Sequence, residues 1–497
     1  MREIILGPPG TGKTTRLLGL VEQELESGTH PDRIAYVSFT RQAAQEAVQR
    51  ACTKFNLSAR DLPYFRTLHS LCFHTLGMTR ADVMEGPRVR EFSDWIGLKM
   101  SENRSMDDST MFGFTTGDRA MFMENLSRVT MTPLRQLYDQ NPDGLPWRMV
   151  EKVQRGLVEF KKAQHVLDFT DMLQQFVDGG WSPPLDVVFV DEAQDLSALQ
   201  WEVVGQIARG ARRVVVAGDD DQAIYRWAGA AVEKFLSLEG SVEVLGQSWR
   251  VTPEVQTLAQ EIVGRVRDRR PKKWAPAQHE GSLQRAGELM TVDLSGDDVL
   301  VLGRNVFALR QAAAQIRREG LLYSLRGSPS VPPTLAAAIR AWESLRRGRQ
   351  VSAEDCRKIY QLMSSGEGFR RGYKQLPGVG EEEMLSLDWL RENGGLLTSE
   401  PWYLALDRAP KDDIGYIRTA LMNGEDLSKP RIRLSTIHGS KGGEADHVVL
   451  LPDMARRTYN EMLDRPEDEA RVWYVGVTRS KRKLTVTKAR DKLHYEI

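Results

Sequence analysis

The sequence predicts an α/β protein with two parallel-sheet domains, each interrupted by a mainly helical insertion. Three observations carry that expectation. Short, wholly apolar runs such as Val187–Val190 and Val299–Leu302 have the texture of strands buried on both faces of a parallel sheet. Those runs alternate with amphipathic segments of helix length. The alternation then lapses twice, over 80–165 and over 329–429, where helical spacing takes over.

Taken in order, Ile4–Leu6 reads as a strand, Thr14–Glu26 as a helix, Ile34–Ser38 as a strand and Arg41–Lys54 as a helix. In the first insertion Trp147, Val150, Val153, Leu157 and Phe160 recur at helical spacing, and methionines cluster between Met100 and Met149 as soft packing residues. Strand texture returns at Asp186–Val190, Arg213–Ala217 and Val242–Leu245. A later block holds the strand Val299–Leu302 and a helix from Phe307 to Glu319. After the second insertion come strands at Arg431–Ser435, Val448–Leu451 and Leu484–Thr487. The expected division is 1–79 with 166–245 for the first domain, 80–165 for its insertion, 246–328 with 430–497 for the second domain, and 329–429 for a reduced second insertion.

Composition narrows the class of function. Of 497 residues, 41% are hydrophobic and 27% charged, which suits a folded chain of several domains and excludes a disordered or collagen-like one. Lys+Arg and Asp+Glu both number 68, so a uniformly basic nucleic-acid coat is excluded while local basic stretches are not. Such stretches occur at Glu261–Trp274 and Gly476–Arg490. Cys52, Cys72 and Cys356 form no CxxC pair and suit a reducing, cytoplasmic setting. No apolar run approaches the roughly 20 residues of a membrane span, and neither signal peptide nor anchor is expected.

Gly7-Pro8-Pro9-Gly10-Thr11-Gly12-Lys13-Thr14 matches GxxxxGK[ST] between a strand and a helix, the context that pattern needs. Its backbone N–H groups and the helix N-terminus suit a phosphate, Lys13 reaches β- and γ-phosphates, and Thr14 suits Mg²⁺. The strand Val187–Val190 ends in Asp191 and Glu192. Asp191 is placed to hold Mg²⁺, and Glu192 to orient or deprotonate the attacking water. Val214–Ala217 leads into Gly218-Asp219-Asp220-Asp221-Gln222. Gln222 stands where a γ-phosphate can be sensed, and Trp227, five residues on, offers either a stacking face for a base or a core tryptophan.

These boxes, in this order, resemble a superfamily 1 helicase of the UvrD/Rep/PcrA type in a compact form. Asp191-Glu192-Ala193-Gln194-Asp195 is similar to its DExxD, Gly218–Ala230 to GDxDQSIYxWRGA, and Ser38–Ala44 to TFTNKAA. Thr67-Leu68-His69-Ser70 is similar to TFHS, Asp168–Leu173 to DFxDLL, and Gln247–Arg250 to QNYRS. Arg270–Trp274 and Gly303–Asn305 have counterparts. Ser435–Gly442 is similar to TLHxAKG, and Tyr474–Arg479 to YVGVTR. The resemblance implies two RecA-like motor domains and ATP-dependent unwinding of DNA with 3′ to 5′ translocation on single strands. It implies Arg250 and Arg479 as arginine fingers beside Lys13, Asp191, Glu192 and Gln222, Glu444 on the ribose, and Trp249 on the base. The nucleotide loop extends to Thr15, where many members have Arg. Implied single-strand contacts are Phe39, Thr40, Thr67, His69, Tyr225, Trp227, Thr436 and His438, of which His69 and His438 read equally well as packed or capping residues. Expected partners are single-stranded and tailed or forked duplex DNA, together with a protein that assists it.

The chain also departs from the family. No Gln motif is expected ahead of the first strand, Ala228 replaces the Arg of WRGA, and the second insertion is short. Two other readings stay open: a single-strand translocase that displaces proteins and needs a partner to unwind, and a P-loop phosphotransferase or nucleotide-gated binding module.

Overall fold

The computed structural model describes residues 2–38, 41–101 and 115–497. Six strands form the first sheet: β1 (Arg2–Leu6), β2 (Ile34–Ser38), β3 (Phe65–Thr67), β4 (Val187–Asp191), β5 (Arg213–Gly218) and β6 (Ser241–Val244), the central ones apolar. They pair in parallel throughout, in the order β3-β2-β4-β5-β1-β6. Alternate residues fill two cores. Ile4, Leu6, Val37, Val188 and Val190 point to one face. Ile5, Ile34, Tyr36, Phe189 and Val215 point to the other, under the helix α1 (Lys13–Glu26). Each such aliphatic contributes roughly 1.5–3 kcal/mol by leaving water. This double burial is why the strands read as continuous apolar runs rather than as an alternation.

The register aligns the carboxyl ends. Leu6 lies opposite Gly218, and Ser38 opposite Asp191. In an open parallel sheet that edge is where ligands bind. The first insertion is helical as expected, with Pro87–Ile96, Thr116–Val129, Leu134–Gln140 and Trp147–Gln164 around a core of Phe92, Met121, Val153, Leu157 and Phe160. It is tied to the helix Phe169–Asp178 by charge: Arg128 and Lys161 both bind Asp168 and Asp171.

The chain divides into two compact units, Met1–Leu283 with Ala455–Arg482 and Ile497, and Gln284–Met454 with Lys483–Glu496. Residues 246–283 and 455–482, read from the sequence with the second domain, are therefore described with the first unit. There the helix Pro253–Val263 packs on the helix Pro466–Val477. In the second unit Val299–Gly303 pairs in parallel with both Ile432–Thr436 and Ala445–Leu451. Tyr323–Leu325 extends that sheet in parallel, and Ser328–Pro329 turns back on it antiparallel. The second insertion carries its own core around Trp342, Ile359, Tyr360 and Trp402, and a small antiparallel pair, Val351–Ser352 with Met384–Leu385, that the helical texture did not announce. Among the described residues no helix is long and apolar enough to cross a membrane.

Candidate active site

The site assembles at the carboxyl edge of the first sheet. After Leu6 the chain turns through Gly7, whose N–H bonds the Gly218 carbonyl at 3.0 Å. Gly12, at φ 79°, caps α1 in a left-handed conformation that glycine adopts without penalty. This sets the first turn of the helix, with Lys13 and Thr14, facing the ends of β4 and β5. Pro8, Pro9 and Thr11 are buried, and Thr15 is exposed.

Asp191 is fully buried. Its Oδ2 accepts from the Thr14 hydroxyl at 3.0 Å and from the Tyr36 hydroxyl at 2.8 Å, and its Oδ1 from the Glu192 N–H at 2.9 Å. Burial, and then the charge of Glu192, push its carboxyl above the usual range against the pull of Lys13. Lys13 Nζ lies 2.8 Å from Glu192 Oε1. Burial works against the ammonium, but the charges of Glu192 and Asp191 overcome it and hold it above its ordinary value. Glu192 itself has φ 54°, a left-handed conformation that costs a non-glycine residue of order 1 kcal/mol and concentrates at functional sites.

From Glu192 the polar contacts continue without a break. Gln194 Nε2 donates to Glu192 Oε2 at 2.5 Å, and its Oε1 accepts from the Asp219 N–H at 3.0 Å. Asp219 Oδ2 accepts from Gln222 Nε2 at 2.7 Å. Gln222 Oε1 then accepts from Arg479 Nη2 at 2.9 Å. Arg479 is 2% exposed and held also by the Val475 carbonyl, at 3.0 Å from its Nε. A carboxylate at one end of the Gln222 amide and a guanidinium at the other fix which way the amide faces.

The segment after β6 closes on the phosphate loop. The Trp249 N–H donates to the Gly10 carbonyl at 2.8 Å, and the Ser248 hydroxyl to the Pro9 carbonyl at 2.8 Å. Gly10 sits at φ +70°, and a Cβ there would lie 2.4 Å from Arg250 Cβ. Arg250 thus stands beside the loop, and Trp249, 70% exposed, presents a flat face next to it.

Sequence reasoning missed three residues here. Tyr36 reads as one more β-former in β2. Gln194 is lost inside DEAQD. Lys272 was read as part of a basic stretch, yet its ammonium is fully buried, 3.2, 2.6 and 3.0 Å from Asp219, Asp220 and Asp221. Arg269 adds a fork onto Asp221, with Nε–Oδ1 at 2.7 Å, and Arg471 Nε donates to the Asp220 carbonyl at 3.0 Å. The acidic run 219–221 is the signal that could have found Lys272.

The implied single-strand residues fall in different places. His69, Tyr225 and Trp227 line one largely apolar cavity of about 250 Å³ together with Val129, Leu173 and Ala228. His69 meets the Phe169 ring edge-on at 5.9 Å, and Trp227 stacks on Phe122 at 6.0 Å. Thr67 caps the helix Leu68–Thr75, accepting from the Ser70 N–H at 3.3 Å. In the second unit Thr436 and His438 are buried, with the Gly439 N–H on the Thr436 hydroxyl at 3.0 Å. Glu444, also there, is half-buried, and its carbonyl accepts from Arg433 Nη2 at 3.0 Å. Phe39 and Thr40 lie outside the described residues.

A GxxxxGK[ST] loop between strand and helix, a buried acid, a left-handed glutamate and a buried glutamine amide along the edge of a parallel sheet define a P-loop protein of the RecA-like class. Residues 2–243 match the model of the UvrD/REP helicase N-terminal domain, and residues 416–491 that of the UvrD-like helicase C-terminal domain. The chain belongs to the UvrD/Rep/PcrA family of superfamily 1 helicases. It is 25% identical to the ATP-dependent DNA helicase PcrA of Bacillus subtilis, over 94% of this chain and 71% of that protein. It is 27% identical to PcrA of Staphylococcus epidermidis and 24% to that of Staphylococcus aureus, each over 58% of this chain and 41% of the relative, so it spans less than half the length of those two.

Proposed function

We propose that the protein is an ATP-dependent DNA helicase that moves 3′ to 5′ on single-stranded DNA and separates tailed or forked duplexes. The observation that carries this reading is the unbroken polar line from Lys13 through Glu192, Gln194, Asp219 and Gln222 to Arg479. A phosphotransferase needs no such tie between its base, its sensor and a distant arginine, whereas a motor that reports hydrolysis along the chain does.

The donor set suits Mg²⁺: two hard oxygens, from Thr14 and Asp191, 3.0 Å apart at the helix N-terminus that faces the phosphates. When bound, the ion neutralises charge on the β- and γ-phosphates. The rest falls to side chains. Lys13 is paired with Glu192. Arriving phosphate oxygens compete for the ammonium, so Glu192 is released to accept a proton from water as ATP enters. Gln222 and Arg479 turn from each other toward the γ-phosphate, joined by Arg250, and cleavage removes the charge that drew them. Trp249 stacks on the base and Glu444 holds the ribose. Phe39, Thr40, Thr67, His69, Tyr225, Trp227, Thr436 and His438 form the strand path, on a chain built as the four segments outlined above and working in the cytoplasm with an assisting protein.

The test is phosphate release from ATP with and without single-stranded DNA, then unwinding of duplexes with a 3′ or a 5′ tail. DNA should stimulate release at least tenfold, Lys13→Ala should abolish it, and the 3′ tail should be preferred. Release indifferent to DNA sinks the motor reading, and preference for the 5′ tail sinks the polarity. The reduced second insertion, 329–429, favours a second reading, a single-strand translocase that needs a partner to unwind: displacement of a bound protein without strand separation would establish it.

A further inference from the structure

We propose that Tyr36 is a positioning residue for the metal carboxylate, fixing Asp191 through its hydroxyl so that the acid meets the divalent cation in one orientation. This rests on the nucleotide-site reading above. Tyr36 lies in the middle of β2, on the sheet face that packs under α1, and is fully buried. Its ring stacks on Phe65 at 5.9 Å and 22°, and its hydroxyl reaches across to Asp191 Oδ2 at 2.8 Å. The partners are 155 residues apart in sequence, so only the sheet order, with β2 beside β4, brings them together.

Asp191 has three hydrogen-bond donors, and they differ in what else could claim them. Oδ2 accepts two hydroxyls, from Thr14 and Tyr36, and Oδ1 accepts the Glu192 N–H. Thr14 Oγ1 would offer a lone pair to a metal while its O–H stays on Oδ2, so its position would answer to the ion as well as to the acid. The Tyr36 hydroxyl is the side-chain donor on Oδ2 that no ligand would claim. It cannot swing away, because its ring is clamped in the core. The result is a donor fixed in place. Groups that hold a ligating carboxylate from behind typically change metal affinity 10–100-fold when removed.

The experiment measures fluorescent ADP binding across a Mg²⁺ titration, with Mn²⁺ paramagnetic resonance as a direct count of bound ion. Tyr36→Phe keeps the ring and its stack and removes only the hydroxyl. The Mg²⁺ concentration at half-effect should rise about tenfold and Mn²⁺ should bind correspondingly weaker, while metal-free ADP affinity and the melting temperature stay near wild type. A merely structural role would lower the melting temperature and metal-free affinity and leave the metal midpoint in place. Tyr36→Met, shorter and likewise without a donor, should repeat the metal shift, and serves if the Phe variant does not fold. Wild type that needs Mg²⁺ while both variants titrate at its midpoint overturns the inference alone. Wild-type binding indifferent to Mg²⁺ overturns the nucleotide-site reading with it.

Discussion

His447 shows how a single buried group sets a pH limit. It is 7% exposed, its Nε2 is 2.9 Å from the Thr485 hydroxyl, and burial followed by the charge of Lys483 pushes its pKa from 6.5 down to about 4. Above 6.5 both folded and unfolded chains hold it neutral, and it has no effect on stability. As pH falls from 6.5 toward 4 the unfolded chain takes up a proton that the fold refuses, so stability drops across that window. The urea midpoint of the second unit should therefore fall between about pH 7 and about pH 5, and His447→Gln should flatten the slope. An unchanged slope in the variant would place the loss elsewhere. At this scale the sequence was legible where chemistry demands a residue at a fixed spacing, as with Lys13, Thr14, Asp191 and Glu192. It was silent on Tyr36, whose role depends on a neighbour supplied by another strand. It misled on part of the 261–274 stretch, where Arg269 and Lys272 turn inward to three aspartates instead of outward to phosphate.

Among elements, the turn after β5 is the most demanding. Asp219, Asp220 and Asp221 are all buried, and three adjacent carboxylates stay folded only because Lys272 sits among them and Arg269 closes one side. Burial opposes the Lys272 ammonium, but the three carboxylates outweigh it and hold it charged above its ordinary value. Removing one partner of a buried ionic cluster typically costs 3–5 kcal/mol, because the charges left behind are desolvated and unpaired. Lys272→Met should lose about that much stability in urea denaturation, and Lys273→Met, whose ammonium has no part in this cluster, should lose little. Equal losses would remove Lys272 from its assigned place. Elements with strong periodicity were legible to within a residue or two: Ile34–Ser38 coincides with β2, and the helix predicted from Thr14 begins at Lys13. The short strands Phe65–Thr67 and Tyr323–Leu325 escaped, because three residues carry no period and their pairing is decided by the sheet they join.

Across the whole molecule, each unit has cores of its own, so heating should give two calorimetric transitions rather than one. Lys13, Asp191, Glu192, Gln222, Arg250 and Arg479 all belong to the first unit, and Glu444 to the second. A ligand at about a hundred times its Kd adds about 2.7 kcal/mol to the unit that binds it. ADP with Mg²⁺ should therefore raise one transition well above the other, Lys13→Ala should erase that rise, and Glu444→Ala should leave most of it. Equal shifts in both transitions would overturn this division of the binding energy. The two-sheet plan with helical insertions was legible from texture alone. Residues 246–283 and 455–482 are grouped with the first unit by tertiary contacts, which leave no local pattern.

Gly10 occupies a position that the general phosphate-loop pattern leaves open to any residue. Here only glycine fits, and the reason lies outside the loop, in the closeness of Arg250 Cβ and in a backbone angle of +70°. The loop's spelling is therefore partly dictated by a segment that arrives some 240 residues later in the chain. A substitution at Gly10 would be opposed by Arg250 as well as by the loop's own backbone. The two segments are thus bound to drift together over generations, and a graft of this loop into a foreign P-loop protein would carry a constraint that its new host has no use for.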